Sequence, residues 1–96
     1  MNLGKTIKYL RIQKEYNQED LASKCGITQA TLSLIENNKK RPSKSTIDKL
    51  CKTFEISEIA LYVLAAEKED VPEDKREAFE AIFPQLKELM KKVFTK

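Results

Sequence analysis

The chain has no histidine and no tryptophan, and only two cysteines, two glycines and three prolines among its 96 residues. Each scarcity excludes something. Without histidine there is no Ser-His or Cys-His pair to activate a nucleophile. Two cysteines cannot complete a zinc site of the usual kinds. There is also no glycine-rich phosphate loop and no pair of acids placed for acid–base work. An enzyme is therefore not expected, and neither a metal nor a cofactor is implied. Cys25 and Cys51 fall at apolar positions of predicted helices, where a thiol behaves as a small hydrophobe. No apolar run approaches the roughly 18 residues that cross a membrane, and the polar, charged N-terminus does not read as a signal peptide. A cytoplasmic location without a membrane partner is the expectation, and a disulfide is not expected there. So few glycines and prolines leave room for long helices.

What is present is charge and helical periodicity. Net charge is only +3, but it is unevenly placed. Met1 to Lys52 carries eleven basic and five acidic residues, Glu67 to Glu80 three basic and seven acidic, and Ala81 to Lys96 four basic and one acidic. The N-terminal part is the one suited to a polyanion. The length suits one domain with an appended element, divided here as residues 1–66 and 67–96.

The segment Gln18 to Asn37 reads as two short helices around a tight turn. Asn17 caps the first, with Asp20 three residues on, where a capping box places an acid. Gly26 takes the C′ position, which needs φ > 0. Thr28 caps the second helix, which ends near Glu36. At about 100° per residue, Thr28, Leu32 and Ile35 share one side, and Gln29, Ala30, Ser33, Leu34 and Asn37 the other. The outer set has amides, a hydroxyl and small or apolar groups but no carboxylate, which would repel phosphate. Gln pairs with adenine, Ser with several base edges, and Ala or Leu touches a thymine methyl.

The run from Arg11 to Ser43, with NQEDLA, the Gly26 turn, IEN and RPS in order, resembles the Cro/repressor (XRE-type) helix-turn-helix family, and more loosely does so to about Leu64. The resemblance implies an all-α fold: a five-helix repressor-like DNA-binding domain, to which this chain adds a long C-terminal helix. It implies a sequence-specific regulator of transcription, a repressor working as a homodimer on double-stranded DNA. It further implies that Arg11 pairs with Glu36, the acid that ends the recognition helix. At Leu34 the family often carries a polar or basic residue, and here the position is apolar.

Base contacts are expected from Gln29, Ala30, Ser33 and Leu34. Phosphate contacts are expected from Gln18 and Thr28 at helix N-termini, from Thr31 and Asn37, and from Lys39, Lys40, Arg41 and Ser43 in and after the following loop, where Pro42 forbids a continued helix.

The remaining helices follow from period and caps. The first spans about Leu3 to Glu15. Ser43 caps a helix from Lys44 to Phe54. Ser57 caps a fifth, apolar on most sides through Ile59, Leu61, Tyr62, Val63 and Leu64. Glu67 to Glu73 reads as a linker, and the last helix runs from about Glu73 to Phe94. Its Phe79, Ile82, Phe83, Leu86, Leu89, Met90, Val93 and Phe94 lie within an arc of roughly 140°. One small chain is not expected to cover them all, so a homodimer interface is expected over Leu61, Leu64, Phe79, Ile82, Phe83, Leu86, Leu89, Met90 and Val93. Pro84 points to the polar side, where it either kinks the helix or restarts it.

Overall fold

The computed structural model describes residues 1–95, and these form six helices with no strand among them. They are α1 (Leu3–Gln13), α2 (Gln18–Lys24), α3 (Gln29–Glu36), α4 (Lys44–Phe54), α5 (Glu58–Ala65) and α6 (Arg76–Phe94). Five of the six begin on a capping side chain. Asn2, Asn17, Thr28, Ser43 and Ser57 each accept the backbone N–H three residues on, a bond that stabilises a helix by about 1 kcal/mol.

The first four helices end in the same way. A residue just past each end takes a left-handed conformation, and two backbone bonds close the final turn. At α2 this residue is Gly26, with φ 66°; the amides of Gly26 and Ile27 return to Ser23 O and Ala22 O. At α1, α3 and α4 it is Glu15, Asn38 and Glu55, with φ between 56° and 62°. Residues with a Cβ adopt this conformation at a cost of roughly 1–2 kcal/mol, and no glycine marks these ends. Helix α1 accordingly stops at Gln13, two residues before the expected boundary.

Amphipathic faces converge on one core. Ile7 and Leu10 of α1, Leu21 and Cys25 of α2, Leu32 and Ile35 of α3, Leu50 and Phe54 of α4, and Leu61 of α5 are all buried. Both thiols are free and buried, and desolvation raises the pKa of each. Helix α3 packs between α1 and α2, while α5 packs on α1 and α4. Tyr16, half-buried, packs against the same core. Helix α5 is less enclosed than its composition suggests, because Ile59 is 76% exposed.

The expected linker is instead two 3₁₀ turns, Lys68–Asp70 and Glu73–Lys75, so α6 begins at Arg76 rather than Glu73. Glu67 and Asp70 exchange a reciprocal capping box around the first turn, and Asp70 also binds the Met1 amino group at 2.6 Å. Helix α6 runs unbroken through Pro84 and folds back on α5. Met90 and Phe94 pack against the core, the Lys87 ammonium donates to Ala66 O, and the Lys91 ammonium lies 5.0 Å from the centroid of the Tyr9 ring. The stripe on α6 thus divides in two. Phe79, Phe83, Met90 and Phe94 form the edge nearer the domain, with Phe79 and Phe83 stacked at 4.1 Å. Ile82, Leu86, Leu89 and Val93 form the outer edge. No described helix is long and apolar enough to cross a membrane.

Gly4 shows how tightly the start of α1 meets the end of α3. A Cβ there would lie 2.5 Å from Ile35 O, 2.6 Å from Asn38 Oδ1 and 2.7 Å from Glu36 O. The Gly4 amide donates to Asn38 Oδ1 at 3.0 Å, and Asn38 Nδ2 donates to Asn2 Oδ1 at 2.7 Å. Replacing a helical glycine by alanine at an open site stabilises by about 0.8–1 kcal/mol. Here Gly4→Ala is expected to destabilise by about 1–3 kcal/mol through overpacking. Urea unfolding measures this; a variant as stable as the parent would show that the contact yields.

Candidate nucleic-acid interface

Helix α3 is held from beneath. Leu32 and Ile35 point into the core, and the Glu36 side chain is 2% exposed. A buried carboxylate is costly unless it is fully bonded, and Glu36 is surrounded by donors. Arg11 Nε donates to Oε2 at 2.8 Å and Nη2 to Oε1 at 3.2 Å, a two-pronged pair. Gln18 Nε2 adds a third bond to Oε1 at 3.0 Å. Arg11 Nη1 reaches Tyr16 O at 3.0 Å, which fixes the connection into α2. One carboxylate therefore ties α1, α2 and α3 together.

This network gives Gln18 a role beyond the expected phosphate contact: its side-chain Nε2 donates one of its two protons to Glu36. A glutamine that opens a helix carries no sequence signal for this second role; only the position of Glu36 across the turn shows it.

The opposite side of α3 is open. Gln29, Ala30 and Asn37 are exposed, Leu34 is 43% exposed, and Ser33 is half-exposed. None of these side chains carries charge. Asn37 Nδ2 lies along the helix and donates to Ser33 O at 2.9 Å. At the N-terminus Thr28 Oγ1 accepts the Thr31 amide at 3.1 Å and donates to Thr31 Oγ1 at 2.9 Å. The Thr31 hydroxyl thereby keeps its own proton for an outside acceptor.

The loop after α3 holds its cations at the opposite, C-terminal end of the helix. The Lys39 and Lys40 amides both donate to Leu34 O, at 2.8 and 3.2 Å. Lys39, Lys40 and Arg41 are exposed, and no ion pair engages them among the described residues. Ser43 is exposed, but its hydroxyl accepts the Thr46 amide and donates to Thr46 Oγ1 at 3.0 Å. Its first task is capping α4. Asn38 went unnoticed in the sequence: its left-handed backbone and its bonds to Gly4 and Asn2 set where this loop leaves α3.

Two helices in this arrangement, the second presenting an uncharged outer face above a buried one, form a helix-turn-helix. A helix-turn-helix family model matches residues 7–61, which is more than half of the chain. The chain belongs to the XRE-type helix-turn-helix family. Within this helix-turn-helix domain α3 occupies the recognition position. Two curated relatives are similar over 55 residues. Antitoxin HipB of Escherichia coli O6:H1 (strain CFT073) is 40% identical over 57% of this chain and 58% of its own length. Antitoxin HipB of Escherichia coli K12 is 38% identical over 57% of this chain and 62% of its own length. The chain thus spans about three-fifths of the length of these relatives. No solved structure matches it.

The expected dimer residues are divided by the fold. Leu61 and Leu64 are buried within the chain itself, at 0% and 8% exposure, because α6 and α1 cover α5. They are closed to any partner. Met90 packs on the chain's own core, and Phe79 and Phe83 are half-buried against each other. Ile82, Leu89 and Val93 remain exposed, with Leu86 half-exposed between them.

Removing one partner of a buried, bonded pair strands the other charge and costs about 3–5 kcal/mol. Glu36→Ala, which leaves Arg11 and Gln18 without their acceptor, is expected to lose that amount in chemical denaturation. Arg11→Met with Glu36→Leu together is expected to lose less than the sum of the two single changes. Strict additivity in this cycle would contradict the coupling.

Proposed function

We propose that the protein is a sequence-specific double-stranded DNA-binding regulator of transcription, a repressor that acts as a homodimer on a near-palindromic operator. The observation that carries this reading is the exposed, carboxylate-free face of α3, flanked by unpaired Lys39, Lys40 and Arg41. In this reading α3 lies in the major groove. Gln29 and Ser33 bond base edges, while Ala30 and Leu34 touch them. Thr28, Thr31, Asn37 and the three loop cations hold phosphates and set the register but carry no sequence information. Residues 1–66 bind DNA and residues 67–96 serve assembly. No cofactor takes part, no reaction is catalysed, and the protein works in the cytoplasm.

The similarity to two proteins named antitoxins supports a second, compatible role: a partner protein bound while the domain stays on DNA. Salt separates the two activities. Duplex binding weakens as a power of salt concentration because counterions are released from phosphate, whereas a packed protein interface depends on salt far less.

Selection of bound sequences from a random duplex pool tests the main reading directly. Against the selected site, Gln29→Ala is expected to weaken binding by about 1–3 kcal/mol and to leave random duplex nearly unaffected. Leu34→Ala is expected to shift site preference less than Gln29→Ala. Lys40→Ala or Arg41→Ala is expected to weaken all sequences alike and to lower the salt slope by about one unit each. Failure to enrich any sequence would refute the regulator, and an unchanged slope would return the loop charges to solvent.

A further inference from the structure

The loop that carries Lys39, Lys40 and Arg41 is held by few bonds. The Lys39 and Lys40 amides reach Leu34 O, and no other hydrogen bond engages Lys39 to Pro42 among the described residues. Lys40 and Arg41 share a cavity of about 240 Å³ with Leu3 and Gly4 at the start of α1, so they stand beside that helix without packing on it. What joins the base of the loop to α1 is Asn38, the residue just before Lys39. Its Oδ1 accepts the Gly4 amide at 3.0 Å, and its Nδ2 donates to Asn2 Oδ1 at 2.7 Å.

Both of these partners are themselves fixed. Asn2 Oδ1 also accepts the Lys5 amide at 3.0 Å, which occupies both lone pairs of that oxygen. The Asn2 amide donates to Ala65 O at 2.8 Å. Gly4 lies against the last turn of α3 with no room for a Cβ. Asn38 is therefore anchored on α1 and, through Asn2, on the end of α5. The residue type agrees with this role. With φ 58°, the backbone of Asn38 is left-handed, a conformation that glycine adopts at least cost and asparagine next. Glycine would close the helix as well. Asparagine closes it and adds a donor and an acceptor, and both are used.

We propose that Asn38 is a positioning residue for the phosphate contact. It acts through Lys40 and Arg41 rather than on DNA itself. By fixing the base of the loop to α1, it holds both cations in place before a duplex arrives. A group fixed in advance loses less freedom on binding, and that preorganisation is read as affinity. The inference rests on the proposed DNA-binding function and assigns to it a residue outside the contact surface.

A double-mutant cycle on duplex affinity tests this. Asn38→Gly removes both side-chain bonds and suits the same backbone, so the fold is expected to persist, which urea unfolding checks. Affinity is measured at low salt, where a chain with fewer cations still binds. The chains are the parent, Asn38→Gly, the pair Lys40→Ala with Arg41→Ala, and all three changes together. Asn38→Gly alone is expected to weaken the selected site and random duplex alike, by about three- to tenfold, the net worth of one or two hydrogen bonds. In the chain that lacks both cations the same change is expected to have no effect, because nothing is left to position.

A loss that persists without the cations would overturn the proposal. A direct contact of Asn38 with DNA, or a general loosening of the domain, acts whether or not they are present. Unchanged binding by Asn38→Gly would overturn it too. Asn2→Ser is the second variant, for use if Asn38→Gly unfolds. Serine still caps α1, but its shorter side chain withdraws the acceptor from Asn38 Nδ2. A smaller loss, about two- to threefold for one bond, is expected, again only while the cations are present; additivity would overturn the proposal here as well. A parent that binds no duplex would refute the proposed function and this inference together. A parent that binds, matched by Asn38→Gly, would refute only the inference.

Discussion

One carboxylate holds the helix-turn-helix of this fold in place. Glu36 sits at the last position of α3 with its side chain almost fully enclosed, and it receives two bonds from Arg11 and one from Gln18. Placing a charge there is unfavourable without those partners. The arrangement therefore specifies more than it stabilises: α1, α2 and α3 must each arrive at a set angle for the acid to be satisfied. Apolar packing of Leu10, Leu21 and Leu32 supplies the cohesion beneath it, but apolar packing tolerates sliding. A charged, two-pronged contact does not.

The C-terminal helix is fastened in a different manner. Its contacts with the domain are few and largely polar at their edges: Lys87 on a backbone carbonyl, Lys91 above Tyr9, and Arg76 on Lys68 O at 3.1 Å. None of its residues is fully buried. One apolar edge of the helix is turned to its own domain, and the other, with Ile82, Leu89 and Val93, is exposed. The first of the two 3₁₀ turns before it is pinned by Asp70, which caps its own turn and binds the Met1 amino group.

Much of the fold is legible in the residues because the signals are local. Asn17, Thr28, Ser43 and Ser57 announce helix starts, and Gly26 marks the sharp turn that brings α2 and α3 together. The outer and inner faces of α3 follow from angle alone. The hidden features are those in which a side chain has two plausible uses. Gln18 reads as bonding outward, and only the place of Glu36 in space shows its inward bond. Glu15 and Glu55 close helices in a conformation that glycine usually fills, so no residue type marks those ends; Asn38 is of the type that most often replaces glycine there, and its end was legible. A helical wheel shows that α6 has a broad apolar arc but not which edge meets the chain's own domain. Leu61 and Leu64 were therefore assigned to a partner when they fill the chain's own core.

The carbonyl of Leu34 accepts the amides of both Lys39 and Lys40, while the Leu34 side chain stands on the open face of α3. A single peptide unit thus carries an apolar group toward one surface and suspends two cations beside it. These two bonds tie the start of the loop to the last turn of α3, so the cations follow the helix when it turns. In the proposed reading, the loop cations therefore reach phosphates only where the face of α3 is also seated.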